Sequence, residues 1–330
     1  MDRRTFIRSF ALVAPGAWRV ACAQASRKVY RIGILAHGLS SDFSGPRPRN
    51  PAVNALLLAL GELGYVYGEH FVTEPRGSGG EAARFPALAA ELVGLHVDVI
   101  VAAGGPPCAA LKRATATIPI VMAAALDPIA EGLVQSLAHP RGNFTGLSHQ
   151  MLESTGKRLE LLKELVPGAA PVAVLWDPSI ASSWRTADAA ARARAWKLLS
   201  LQIRSASEIQ LAFKKATDAR AASLLVLTGE IAYPHRQKIV DLAAASRLPA
   251  MYELRPFVEA GGLISYGADL NEIWRRAAGF VDKILKSAKP ADLPIEQPTK
   301  FDLVINLKAA KALDLSIPEP MLLRANGVIR

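Results

Sequence analysis

At roughly 150 residues per domain, a chain of 330 residues holds about two domains. With 51% hydrophobic and only 21% charged residues, and a mean hydropathy of +0.20, it can bury a sizeable core, which excludes a mainly disordered chain. The net charge of +10 is spread along segments such as 192–197 and 283–289, with no dense basic run and no interleaved aromatics, so it describes a solvated surface and no nucleic-acid partner is expected. No run of about 18 uninterrupted apolar residues occurs, which excludes a polytopic membrane protein.

Residues 1–25 read as an export leader. Arg3 and Arg4 are followed by Thr5-Phe6-Ile7, then a short apolar and small-residue stretch, then small residues at Ala21-Cys22-Ala23 and Ala23-Gln24-Ala25. A charged start, a short apolar segment and an A-x-A site resemble a twin-arginine (Tat) signal, and a periplasmic protein starting near Ala25 or Ser26 is expected. A lipoprotein would use Cys22 as the acylated residue, and Arg19 three positions earlier argues against it. A helical or disordered cytoplasmic tail is the alternative. Cleavage leaves Cys108 as the one cysteine, so neither a disulfide framework nor a Cys-rich metal site is expected.

From Val29 onward, short apolar runs alternate with amphipathic stretches. Strands are expected at 30–36, 71–74, 97–103, 118–123 and 144–147, with helices at 51–63, 81–95, 108–116 and 131–137. Gly64 stands where a helix C′ glycine belongs. The second half repeats the order, with strands at 171–176, 199–204, 222–228 and 248–252 and helices at 157–166, 183–198, 208–219 and 234–246. Ile118-Pro119-Ile120-Val121 and Leu248-Pro249-Ala250-Met251 occupy matching places, so the chain reads as two copies of one α/β domain. Continuous apolar strands separated by helices imply parallel sheets covered on both faces, with ligands bound beyond the carboxyl ends of the strands.

Those ends name the candidate site. They are His37-Gly38, Gly104-Gly105-Pro106-Pro107 with Cys108, Asp127-Pro128, Asp177-Pro178-Ser179, Thr228-Gly229-Glu230 and Tyr252-Glu253. Facing copies would line one cleft with all six loops. Asp127 and Asp177 read equally as helix caps before proline or as partners for a ligand ammonium. The amides near Gly105 offer a seat for a ligand carboxylate, weakened because two prolines remove donors. Tyr252 and Tyr266 are core aromatics or stack on a ligand near a hinge. There is no P-loop, no G-x-G-x-x-G after the first strand, no H-x-x-x-H or H-E-x-x-H spacing and no G-x-S-x-G elbow. No nucleotide cofactor, metal or hydrolase nucleophile is expected. Cys108 at a helix start could carry a lowered thiol pKa, but no catalytic base accompanies it. An enzyme is not expected.

Longer runs carry a resemblance. Leu60-Gly-Glu-Leu-Gly-Tyr65, Leu88-Ala-Ala-Glu-Leu-Val93, Val97-Asp-Val-Ile-Val-Ala-Ala103 and Asn143-Phe-Thr-Gly-Leu-Ser148 resemble ABC transporter substrate-binding proteins, whose members include tryptophan/tyrosine-binding proteins. So do Gly156-Lys-Arg-Leu-Glu-Leu-Leu-Lys163, Phe257-Val-Glu-Ala-Gly-Gly262, Glu296-Gln-Pro-Thr-Lys-Phe301 and Leu303-Val-Ile-Asn-Leu-Lys308. The resemblance spans about Tyr30 to Ile329. It implies a type I periplasmic-binding-protein fold, two Rossmann-like lobes joined by three crossings near Thr145-Gly146, Ser265-Tyr266 and Pro298-Thr299. Lobe 1 would be 26–145 plus 267–297 and lobe 2 would be 146–266 plus 298–330. The implied function is capture of a small molecule, an amino acid or related carboxylate, by a monomer that delivers it to an inner-membrane ABC permease and its ATPase. A periplasmic sensor feeding a membrane receptor or kinase is the alternative. The chain departs from the family pattern at Ala36-His37 (usually Ser-Pro), at Gly104-Gly105-Pro106-Pro107 (usually Gly-Thr-Pro-Ala) and at Thr228-Gly229-Glu230. All three departures fall on the rim of the expected cleft.

Overall fold

The computed structural model describes residues 28–330 apart from 126, 149, 150, 169 and 299, so the expected twin-arginine leader and Cys22 lie outside the described residues. Its first strand, β1 (Tyr30–Ala36), is buried over its last five residues. Helix α1 (Pro51–Glu62) starts at Asn50, whose side chain accepts a hydrogen bond from the Val53 N–H at 3.0 Å. Pro51 fills the first turn, where no intrahelical donor is needed. The helix stops before Gly64, whose φ of +91° is the left-handed conformation of a C′ glycine.

β2 (Phe71–Gly77), α2 (Phe85–Gly94), β3 (Val99–Ala103), α3 (Gly105–Ala114), β4 (Ile120–Ala125) and β5 (Phe144–Ser148) complete a five-stranded parallel sheet in the order β2-β1-β3-β4-β5. The second half runs α4 (Met151–Leu165), β6 (Val172–Trp176), α5 (Ala181–Arg192), β7 (Leu198–Gln202), α6 (Ile209–Asp218), β8 (Ser223–Val226), α7 (Arg236–Ala245), β9 (Ala250–Tyr252), α8 (Arg255–Glu259) and β10 (Ile264–Ala268). These strands pair in parallel in the order β7-β6-β8-β9-β10, the same winding as the first sheet. Both sheets are therefore doubly wound, with their ligand-facing loops at the carboxyl edges.

The last segments stitch the halves together. After β10 the chain leaves the second sheet and α9 (Leu270–Leu285) packs on the first, where Ile273, Trp274, Ala277 and Val281 share a core with Val53, Leu56 and Leu60 of α1. Asp269 caps α9 by accepting from the Asn271 N–H at 2.8 Å. Residues 295–296 then run beside β5, with the Glu296 N–H bonded to the Gly146 carbonyl at 2.9 Å. The chain finally returns as β11 (Phe301–Asn306), antiparallel to β10, followed by α10 (Leu307–Ala312), α11 (Glu319–Leu323) and β12 (Gly327–Ile329). Three passages thus join two lobes, each with core packed on both faces of its sheet.

Several local expectations change: β2 runs on to Gly77, α4 starts at Met151 and α5 ends at Arg192. No helix forms over 131–137. The Asp127 carbonyl accepts from the Glu131 N–H at 2.9 Å to close a single turn, and Gly132 at φ +65° ends it there. Helix α3 begins at Gly105 rather than Cys108, because Pro106 and Pro107 fit a first turn whose N–H groups have no intrahelical partner.

At the centre of the second lobe lies a fully buried ion pair. Arg158 of α4 donates through Nη1 to Glu253 Oε1 at 2.7 Å, through Nε to the Tyr266 carbonyl at 2.7 Å and through Nη2 to Ser154 Oγ at 2.7 Å. Glu253 Oε2 accepts the Thr228 N–H at 2.5 Å. Burial pushes the Glu253 carboxyl up, and the Arg158 guanidinium pulls it back toward ionisation. Deleting one member leaves the other charged and unpaired, a change that typically costs about 3–5 kcal/mol. Arg158→Met is predicted to lose that much in urea denaturation, and a loss under about 1 kcal/mol would show that the pair does not hold the lobe.

Candidate functional site

The two carboxyl edges face one another across a cavity of about 420 Å³. The first lobe supplies His37, Gly38, Phe43, Asn50, Gly104, Gly105, Pro106, Glu131 and Trp274 to its wall, and the second supplies Ser179, Ile180, Thr228, Gly229, Glu230, Tyr233 and Leu254. Both lobes thus contribute to one cavity, the first lobe supplying the larger share of its wall.

Backbone hydrogen bonds fix the first-lobe wall. After β1 the chain turns at His37-Gly38, and the segment beyond β2 fastens that turn. The Ser78 N–H donates to the Ala36 carbonyl at 3.0 Å, the Gly80 N–H to the His37 carbonyl at 2.8 Å and the Gly79 N–H to the Gly38 carbonyl at 3.0 Å. The His37 ring meets Phe85 edge-on, centroids 5.0 Å apart. Burial lowers its pKa to about 4, so the imidazole is neutral near pH 7.

The second-lobe wall hangs on two carboxylates behind it. Asp177 is 2% exposed. Its Oδ1 accepts from the Ser179 N–H at 3.0 Å and from Ser179 Oγ at 2.5 Å, and its Oδ2 accepts the Ile231 N–H at 3.1 Å. A Cβ on Gly229 would stand 2.2 Å from Asp177 Oδ2, so only glycine lets this loop lie against the carboxylate. Glu253 anchors Thr228 in the same way, through the Thr228 N–H.

The sequence-derived candidates therefore divide. His37, Gly38, Gly104, Gly105, Pro106, Ser179, Thr228 and Gly229 line the cavity. Pro107 is buried in the first turn of α3. Asp127 spends its carboxylate on the Ala130 N–H at 3.0 Å, within its own turn. Asp177 and Glu253 are structural anchors enclosed behind the wall, with no face toward a ligand amine. Tyr252 is 1% exposed and stacks on Phe257 at 5.0 Å, and Tyr266 stacks on Phe301 at 5.8 Å, so both belong to packing. Cys108 lies inside α3, fully buried, and burial drives its thiol well above the usual range, the reverse of an activated nucleophile. Among the described residues, no group of three or more His, Cys, Asp or Glu could hold a metal, and no helix is long and apolar enough to cross a membrane.

Sequence reasoning named Glu230 only as the end of a loop and missed Glu131, Asn50, Tyr233 and Trp274. Glu230 ended one of the six loops and Glu131 follows Asp127 by four residues, so proximity to a strand end was the available signal. Trp274 arrives from α9, far away in sequence. Glu131 lies over the start of α3, since a Cβ at Gly105 would fall 3.2 Å from its Oε2. Its Oε1 accepts the Asp127 N–H at 3.3 Å. Burial pushes the Glu131 carboxyl up, opposed by that N–H and reinforced by the charges of Asp127 and Glu230. Burial and then Asp177 push Glu230 up. No Lys or Arg is among the described residues that line the cavity.

The neutral His37 makes a signed prediction. The unfolded chain takes up a proton on this imidazole below about pH 6.5, and the folded chain does so only near pH 4. The stability tied to a neutral His37 is complete above pH 6.5 and is lost as pH falls toward 4, by about 3 kcal/mol at most. In urea denaturation, His37→Gln should therefore gain on the wild-type chain between pH 7 and pH 4.5. Parallel pH profiles would contradict the buried neutral imidazole.

Residues 47–329 match the family described as ABC transporter substrate binding protein. A tyrosine-binding protein of Clostridioides difficile strain R20291 is 26% identical over 267 residues, covering 80% of this chain and 76% of that protein. A crystal structure of an ABC domain in complex with L-Trp from Streptococcus pneumonia superposes with a TM-score of 0.83 at 26% identity, over 92% of this chain and all of the other. A conserved domain protein from Vibrio cholerae O1 biovar El Tor superposes with a TM-score of 0.82 at 26% identity, over 91% of this chain and all of the other. The two doubly wound lobes and a family match across most of the length lead to one conclusion. The chain belongs to the ABC transporter substrate binding protein family.

Proposed function

We propose that this protein is the solute-capturing component of an ABC importer. It works outside the cytoplasmic membrane after export through the leader at 1–25, and hands a small molecule to an inner-membrane permease and its ATPase. The lobe division at 26–145 with 267–297 and 146–266 with 298–330 belongs to this reading. The observation that carries it is the shared ownership of the cavity, since a molecule filling it touches loops of both lobes at once. Such a ligand binds the closed arrangement better than an open one and shifts the hinge equilibrium toward closure by that difference. Nothing in this cycle makes or breaks a bond.

The cavity suits a solute of amino-acid size with an apolar or aromatic body. Phe43, Val53, Ile180, Tyr233, Leu254 and Trp274 are among the residues that line it, in keeping with pockets that are mainly apolar and carry few orienting polar groups. A relative named for tyrosine and a neighbour solved with L-Trp support that size class.

Native mass spectrometry of the mature chain incubated with a small-molecule extract tests the reading. One retained small molecule is expected, with a higher melting temperature when that compound is added back. At 100 times its Kd, it adds about 2.7 kcal/mol of stability. No retained compound and an unmoved melting temperature would contradict the capture role.

A further inference from the structure

Resting on that capture reading, we propose that the cleft selects an aromatic amine that carries no carboxylate, its ammonium held between Glu131 of the first lobe and Glu230 of the second. The free amino acid is then the poorer ligand.

The seat a ligand carboxylate would use is dismantled. A helix start binds an anion through first-turn N–H groups, but in α3 the second and third residues are Pro106 and Pro107, which have none. The next amide, of Cys108, is turned to the Gly104 carbonyl at 3.4 Å. Only Gly105 keeps an N–H among the first three helical residues, and the Glu131 carboxylate already covers that residue, with Oε2 placed 3.2 Å from where a Cβ would be. Across the cleft, the Ser179 N–H is spent on Asp177. A second carboxylate brought by a ligand would meet resident negative charge at Gly105.

The charge balance of the wall points the same way. Glu131 and Glu230 line the cavity and no Lys or Arg does, among the described residues. The nearby cations are engaged elsewhere. Lys112 bonds the Gly132 carbonyl, and Arg236 packs its guanidinium 5.4 Å over the Tyr233 ring while donating to the Tyr233 carbonyl at 3.3 Å. His37 is neutral near pH 7. Glu131 and Glu230 come from opposite lobes and repel one another, so bringing the lobes together without a cation is opposed and bringing them together around one is favoured. Trp274, Tyr233 and Phe43 line the cavity and give the aromatic body its apolar seat.

Calorimetric titration with three indole compounds separates the charges. Tryptamine carries the amine alone, L-tryptophan both groups, and indole-3-propionate the carboxylate alone. Tryptamine is expected to bind at least ten-fold more tightly than L-tryptophan, and indole-3-propionate not to bind. Glu131→Gln and Glu230→Gln should each weaken tryptamine ten-fold or more and narrow its lead over L-tryptophan, while the unliganded melting temperature holds or rises as repulsion is relieved. L-tryptophan or indole-3-propionate binding as tightly as tryptamine would overturn the proposal and leave the capture role standing. Failure of all three to bind would also overturn it, and a compound retained from the extract would then keep the capture role alive on its own.

Discussion

A single buried guanidinium sets the geometry of the second lobe. Arg158 reaches from α4 to Glu253 at the end of β9 and to the carbonyl of Tyr266 in β10, the strand from which the chain leaves for the first lobe. Glu253 passes the constraint on to Thr228, the first residue of the cleft wall after β8. One ion pair thereby ties a helix, two strand ends, a passage between lobes and a ligand-facing loop. The pair is isolated from water, so the geometry must satisfy both charges with hydrogen bonds, and it does so on backbone groups that have to be placed for the cleft to exist. Asp177 repeats the device one strand away, holding Ser179 and the 229–231 loop by the same logic.

This division of labour explains which acidic groups face the solute. Acidic residues next to strand ends are used twice. Asp177 and Glu253 are turned into the protein and hold the wall, Asp127 closes its own turn, and Glu131 and Glu230 remain to face the cavity. A wall whose own carboxylates are saturated by N–H donors is rigid and electrically quiet. The two that are not saturated carry the recognition. The prolines after Gly105 belong to the same arrangement, because they silence the helix start that would otherwise favour an anion.

Much of the fold was legible in the residues. Continuous apolar runs such as 30–36 and 222–228 announce buried parallel strands, and the repeated strand–Pro pattern at 118–121 and 248–251 announces the repeated winding seen as β2-β1-β3-β4 and β7-β6-β8-β9. The carboxyl-edge rule pointed to the loops around the cavity, and nine of the residues in them line it. What it did not reveal is the direction of each side chain. Asp177 and Glu230 both follow strands of one sheet, yet only the hydrogen bonds to Ser179 and Ile231 show that Asp177 points inward. The helix expected at 131–137 hid Glu131, because a side chain on a regular helix there would point elsewhere than one on a turn ended by Gly132. Trp274 lay beyond any local pattern, since its place depends on α9 crossing back to the first lobe.

The central claim is that a small molecule shared by both lobes closes them. Pulsed electron resonance between spin labels at the exposed positions Leu58 of α1 and Leu211 of α6 measures the separation of the lobes directly. Labelling is selective because Cys108 is buried. A distance distribution that shifts and narrows to one population on adding tryptamine is the predicted result. A distribution unchanged by tryptamine and by every compound the protein retains would contradict the account.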